Sequence, residues 1–204
     1  MKYVFVGAHP DDVEFSCGGT MLRLIEEGHD VYIVLMTGGG ASPNCSKKER
    51  IAEQLDAVRF ANIRDIIILE HSDGYITPNS ESVREIREIL DDVKPNLIFV
   101  HHPEDSHQDH RATAQIVKSA ARRIYNLAYY DSYSSIGFKP NLYICIDKYI
   151  HDKSKLLKCF YSQIEKYNCR GVDFIRKATT INEMNGYEAN CRYAEGFIVD
   201  NCMI

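Results

Sequence analysis

The sequence predicts an α/β fold in three layers, a mostly parallel sheet covered by helices on both faces. Three observations carry that expectation. Short apolar runs alternate with stretches of helical spacing along the chain. The apolar runs are continuous, as in strands buried on both faces, and do not alternate with polar residues. Histidines and aspartates collect just after two of those runs, where open parallel sheets place their ligands.

Tyr3-Val4-Phe5-Val6-Gly7-Ala8 reads as a buried strand ending at His9-Pro10-Asp11-Asp12. Cys17-Gly18-Gly19-Thr20 follows, and a helix is expected from Thr20 to about Glu27. Met21, Leu22, Leu24 and Ile25 form its apolar face, and Gly28 closes it. Val31 to Met36 is the second strand, and Thr37-Gly38-Gly39-Gly40 a loop. The second helix spans Ser46 to about Ala61, with Ser46 and Glu49 spaced as a capping box. Ile66 to Leu69 is a third strand, and Ser80 to Val93 a third helix with Pro95 marking its end. Leu97-Ile98-Phe99-Val100 is the fourth strand and runs into His101-His102-Pro103. A helix is expected from Asp109 to about Ile124. Leu127–Tyr130 and Leu142–Ile146 read as strands whose direction the sequence leaves open. His151 to Tyr167 has a helical pattern, a last helix covers Asp173 to Ala178 or beyond, and Tyr193 to Val199 is a final strand or an extended tail. With no repeat, linker or low-complexity tract, one domain over residues 1–204 is expected.

The chain has 204 residues, 45% apolar and 26% charged, enough for one substantial core. Its 24 basic against 29 acidic residues give a net charge of −5, which excludes a general basic surface for nucleic acid or an anionic membrane. No apolar run approaches the roughly 18 residues of a membrane span. The N-terminus turns acidic after a short apolar run and lacks a cleavage site, so no signal peptide is read and a cytoplasmic protein is expected. The seven cysteines occur singly, without a CxxC pair, as expected of reduced thiols. Cys17, near the first cluster, reads as packing.

Two clusters carry chemistry. In the first, His9 and one of Asp11 and Asp12 can hold a divalent cation while the other aspartate takes a proton from water. The plain alternative is a strand-end turn with an Asx cap. In the second, His101 to Arg111 gathers four of the eight histidines with three acids. His107 and His110, three residues apart, converge if a helix begins there. The alternative is a solvated histidine-rich loop. Together the clusters point to a mononuclear metal hydrolase with a coordination place left for water. A GxGxxG fingerprint is absent after the first strand, which argues against a dinucleotide-binding oxidoreductase.

Ala8-His9-Pro10-Asp11-Asp12-Val13-Glu14 and His102-Pro103-Glu104-Asp105-Ser106-His107-Gln108-Asp109-His110-Arg111 resemble the two hallmark segments of the PIG-L / LmbE-like zinc deacetylases. Gly18-Gly19-Thr20, Lys48-Glu49-Arg50, Ser162-Gln163 and Tyr193 to Phe197 are also similar to that family. Many members carry a histidine just before the Ser-Gln pair, where this chain has Cys159-Phe160-Tyr161. The resemblance implies a Rossmann-like three-layer deacetylase fold. It implies His9, Asp12 and His110 as metal ligands, and Asp11 as general base. His107 would be the acid or oxyanion stabiliser, and Asp109 would orient it and favour its imidazolium. Arg50 would face the substrate. The cofactor implied is Zn2+, with Fe2+ fitting the same ligands. The reaction implied is removal of the N-acetyl group from an N-acetylglucosamine-type conjugate, a small molecule, releasing acetate and a free amino sugar. A homo-oligomer is compatible with the family. The other readings are a metal-dependent hydrolase of another amide or ester, and a non-catalytic sugar- or metal-binding protein.

Other residues are weighed on the sequence alone. Asp73, in the loop His71-Ser72-Asp73-Gly74-Tyr75 after the third strand, is the better substrate-facing candidate there. Glu14 reads as a cap or a solvated acid, or as a partner of a loop or ligand histidine. His101 and His102 read as residues that support the site from behind its ligands or line its rim, or as structural turn residues. Tyr129, Tyr130 and Tyr133 are packing or sugar-stacking aromatics. Lys153, Lys155 and Lys158 read as a solvated helix face.

Overall fold

The computed structural model describes residues 1–41, 45–122 and 126–201, without the side chains of Asp200 and Asn201. The strands are β1 (Lys2–Gly7), β2 (Asp30–Leu35), β3 (Asp65–Ile68), β4 (Leu97–His101), β5 (Leu127–Tyr130), β6 (Leu142–Cys145) and β7 (Ala194–Asn201). The helices are α1 (Asp12–Glu26), α2 (Lys47–Ala61), α3 (Ser80–Val93), α4 (Gln108–Ala121), α5 (Ile150–Leu157), α6 (Tyr161–Asn168) and α7 (Phe174–Ala189). One sheet runs in the order β3-β2-β1-β4-β5-β7-β6. β1 to β5 are mutually parallel; β7 pairs antiparallel with both β5 and β6. The α/β fold is therefore as the alternation of elements predicts, and the two directions left open are now resolved.

Alternation along each strand divides the core into two sheets of side chains. Val4, Val6, Val34, Ile98 and Val100 face α3 and α4 through Ile86, Leu90, Ile116 and Val117. Phe5, Ile33, Leu35 and Phe99 face the other way, with Val13, Met21, Ala57 and Leu156. Phe5 and Phe99 stack at 4.4 Å between centroids. A third, smaller cluster joins Phe15 of α1 to Leu157, Tyr167 and Phe174 of the C-terminal helices.

Three expectations change. The first helix begins at Asp12, not Thr20, so Gly18 and Gly19 lie inside it. A helix-interior glycine costs about 1 kcal/mol relative to alanine, and tertiary packing explains its presence. A Cβ on Gly19 would stand 2.7 Å from Ile146 Cδ1. The amides of Gly19 and Thr20 donate to the Glu195 carboxylate at 2.8 and 2.7 Å. The helical pattern from His151 to Tyr167 is broken into α5 and α6, with Phe160 buried at the junction. The helix expected to reach Ile124 is α4, which ends at Ala121; Ile124 lies outside the described residues.

A further correction concerns Lys153. It is not part of a solvated face but fully buried, with Nζ 2.7 Å from Glu195 Oε1 and 2.9 Å from Asn182 Oδ1. Lys153→Met should cost on the order of 3 kcal/mol, because it leaves the buried Glu195 charge without its cation. Urea denaturation of the two proteins measures the difference, and a loss of less than about 1 kcal/mol, the scale of an exposed ion pair, contradicts this role.

Asp131 follows β5 and sits half-buried; burial pushes its carboxyl up to about 6, with Asp105 adding repulsion and Ser135 opposing. A carboxyl raised on folding binds more protons folded than unfolded between about pH 4 and 6. Its contribution therefore favours folding at low pH and is lost as pH rises through about 6. Asp131→Asn should thus raise Tm at pH 7.5 more than at pH 4.5. Thermal melts at both values test the sign.

Candidate active site

The order 3-2-1-4-5 places the topological switch between β1 and β4, where ligands bind beyond the carboxyl ends of the strands. β1 ends at Gly7 and delivers His9, Asp11 and Asp12; β4 ends at His101 and leads to His107 and His110 at the start of α4. These side chains meet in a pocket of about 320 Å3.

Asp11 stands at the N-cap position of α1 without a side-chain capping bond, with φ at +86°, a left-handed conformation uncommon in non-glycine residues. Its neighbour in space holds it there. Arg50, buried at the start of α2, donates from Nη2 to Asp11 Oδ1 at 2.7 Å and also to the Pro10 carbonyl. The Ser46–Glu49 capping box is present and fixes that end of α2. Burial raises the Asp11 carboxyl, Asp12 adds repulsion, and Arg50 pulls it back down.

Asp12 lies between two imidazoles. Its Oδ2 is 3.4 Å from His9 Nδ1 and its Oδ1 is 3.4 Å from His110 Nε2. Burial opposes its charge, but His110 and His101 hold its carboxyl well below the usual range. The structure thus brings together His9, Asp12 and His110, drawn from two segments far apart along the chain. Among the described residues, three overlapping sets of donors at this site lie close enough together to share an ion: Asp12 with His101 and His110, His9 with His107 and His110, and His9 with Asp73 and Asp109; His9, Asp12 and His110 are drawn from two of these sets. Two imidazoles and a carboxylate suit a borderline divalent cation such as zinc.

Asp105 is the partner that sequence reasoning quoted but left without a role. Its Oδ2 lies 3.2 Å from His110 Nδ1, and it also accepts from Ser132 Oγ and, at 2.8 Å, from the His107 amide. A carboxylate on Nδ1 places that ring proton and leaves Nε2 facing Asp12, the arrangement that orients metal-binding histidines. Burial resists the His110 charge, yet Asp12 and Asp105 outweigh it and push the ring up to about 9. Asp105 itself is held well below the usual carboxylate range. The aspartate three residues into the second hallmark segment was the available signal; Ser132 had none.

Asp109 behaves differently from expectation. Its carboxylate does not touch the His107 ring. It accepts from the amides of Gly74 at 2.7 Å and Ile76 at 3.3 Å, and Oδ2 lies 3.1 Å from His9 Nε2. The reason is helix geometry. His107 is the N-cap of α4, and its Nδ1 accepts from the Asp109 amide at 3.3 Å, so the two side chains diverge. That contact puts the His107 proton on Nε2. Burial and the charges of His110 and His9 lower its pKa, so a neutral ring is favoured over the imidazolium expected from the sequence.

Asp73 reaches the same centre. Its Oδ1 is 3.1 Å from His9 Nε2, and its Oδ2 accepts from the Ala41 amide at 2.8 Å. The hydrogen bond to His9 lowers it to about 2. Asp73 and Arg50 both line the pocket, as substrate-facing residues must, but each also grips a site residue. Glu14 is neither a cap nor solvated: it is fully buried and accepts from Gln54 Nε2 at 2.6 Å. Burial raises its carboxyl to about 7. His101 is buried and stacked on His110 at 3.9 Å between centroids; burial and the His110 charge lower it to about 4. Tyr130 is packing and donates to the Val6 carbonyl, whereas Tyr133 lines the pocket. Gln163, Lys166, Tyr167 and Arg170 line it too; of these only Gln163 belonged to a motif read from the sequence. Cys17 is buried, as expected for packing, and burial pushes its thiol up, away from nucleophilic use. Among the described residues no helix is long and apolar enough to cross a membrane.

Comparison with known proteins shows the family and the fold. The family model described as PIG-L: GlcNAc-PI de-N-acetylase matches residues 4–121. The uncharacterized deacetylase YaiS of Escherichia coli K12 is 29% identical over 75% of this chain and 86% of its own. The conserved protein TT1542 of Thermus thermophilus superposes with a TM-score of 0.87 at 22% identity, covering 99% of this chain and 95% of that one. The N,N'-diacetylchitobiose deacetylase of Pyrococcus horikoshii superposes with a TM-score of 0.80 at 23% identity, covering 97% and 83%.

Proposed function

We propose, since this chain belongs to the PIG-L family, that it is a metal-dependent hydrolase removing the N-acetyl group from an N-acetylglucosamine-type conjugate. The products are acetate and a free amino sugar. The observation that carries the reading is Asp11, a carboxylate beside the His/Asp cluster that the cluster does not need for binding a cation. It is held by Arg50 in a left-handed backbone conformation. Unlike the positive-φ residues Asn62, Lys94, Arg122 and Asn190, which close helix C-termini, Asp11 stands at a helix N-terminus inside the pocket, and strained residues cluster at functional sites.

In this reading His9, Asp12 and His110 hold the cation, zinc in first place and ferrous iron as the other fit. The cation supplies Lewis-acid polarisation of the amide carbonyl and lowers the pKa of water. Asp11 accepts the proton of the attacking water, with Arg50 keeping its oxygen aimed into the pocket. Neutral His107 donates its Nε2 hydrogen to the oxyanion as charge develops on the former carbonyl oxygen. Asp11 then returns its proton to the leaving nitrogen as the C–N bond breaks. Asp109 and Asp73 fix His9 and the 73–76 loop, and Asp105 fixes His110.

Acetate release from N-acetylglucosamine conjugates, assayed on chelator-stripped and on zinc- or iron-reconstituted protein, tests this. Turnover that disappears on stripping and returns with metal is expected. Equal turnover with and without metal, or none on any acetamido sugar, rejects it.

A further inference from the structure

We propose that the mouth of the pocket carries an anion subsite, built by Lys166 and Arg170, that binds a phosphate or carboxylate group of the substrate. The subsite rests on the deacetylase reading for the sugar, and on its own geometry for the charge.

Three carboxylates line the pocket, and each already has partners. Asp11 faces Arg50, Asp12 faces three histidine rings, and Asp73 faces His9 and the Ala41 amide. The two remaining cations lining it, Lys166 and Arg170, have no carboxylate partner among the described residues. Lys166 Nζ makes only a 3.4 Å contact to Gln163 Oε1 and lies 6.0 Å from the Tyr167 ring centroid. Arg170 follows α6 in a turn closed by its amide on the Tyr167 carbonyl, so the two cations stand about one turn apart. A further cation, Lys177, sits 4.7 Å over the ring of Tyr133. In a chain of net charge −5, two neighbouring cations without a carboxylate partner favour an anion beside them.

The helix that carries Lys166 is also held in place. Ser162, at the first turn of α6, donates its amide and its hydroxyl to Glu53 of α2 at 2.6 and 2.7 Å. Tyr167 packs against Tyr133 at 5.7 Å and stacks on Phe174 at 5.1 Å. The helix carrying Lys166 is thereby tied to the same α2 that supplies Arg50. An anionic group seated on this rim would gain charge-assisted hydrogen bonds, with the arginine able to grip it bidentately.

The test compares three N-acetylglucosamine glycosides, the neutral methyl glycoside, the 1-phosphate and the carboxymethyl glycoside. The natural protein should turn over at least one anionic glycoside with kcat/KM about tenfold above the neutral one, a preference that falls with added salt. Whichever anionic glycoside leads identifies phosphate or carboxylate as the group. The double variant K166Q/R170Q should bring that ratio close to one, mainly through KM. A ratio near one in the natural protein, or one that survives the double substitution, overturns the subsite while leaving the deacetylase reading intact. If none of the three releases acetate, calorimetric binding of the same glycosides decides the subsite. Tighter binding of an anionic glycoside to the natural protein than to K166Q/R170Q supports it; equal binding overturns it.

Discussion

Asp11→Asn is expected to bind metal normally and to lose turnover by on the order of 10²–10⁴-fold. Asparagine is among the few residues that tolerate the left-handed backbone found here, with φ at +86°. Its side-chain oxygen can still accept from Arg50 Nη2, which bonds Asp11 Oδ1 at 2.7 Å in the native protein. The fold and the His9, Asp12 and His110 cluster should therefore persist. What is removed is the capacity to take a proton. Metal content measured beside kcat separates the two roles. Loss of metal in parallel with loss of turnover would show that Asp11 acts as a ligand instead.

His110→Ala should have the opposite signature, with metal content falling along with activity. His110 belongs to two of the three overlapping groups of donors at the site, and its Nδ1 is already committed to Asp105. Removing it leaves Asp12 without its neighbour at 3.4 Å and Asp105 buried without its imidazole. Asp105→Asn should weaken metal binding by about 10–100-fold, the usual scale for a residue that orients a ligand. Titration of the stripped variants with zinc ranks them. Unchanged zinc affinity in His110→Ala would rule out the assigned ligand set.

Much of this protein is legible along the chain because it depends on local rules. The strands announce themselves as continuous apolar runs, and the boundaries of α3 match expectation at both ends. The α2 capping box needs only Ser46 and Glu49, three residues apart, to be recognised. The two hallmark segments likewise place His9, Asp12 and His110 in the connections that follow β1 and β4, on the side where a parallel sheet binds ligands.

Where local rules failed, a partner distant in sequence had changed the outcome. Gly18 and Gly19 looked like a helix start, and are a helix interior thinned to admit Ile146 and Lys153. Lys153 looked solvated by composition, and is buried because Glu195, forty-two residues on, waits for it under α1.

The amino-acid order alone thus settles which residue types lie at the ends of β1 and β4, and hence that a His/Asp chemistry is gathered there. The tertiary fold decides what each of those groups touches. Asp109 turns to His9 because His107 occupies the N-cap of α4. Arg50 clasps Asp11, thirty-nine positions away, because α2 packs beside the β1 loop. Lys166 and Arg170 join the pocket because Glu53 anchors α6. Hydrogen bonds reach about 3 Å, and neither composition nor spacing states which side chains of a folded chain come within that distance.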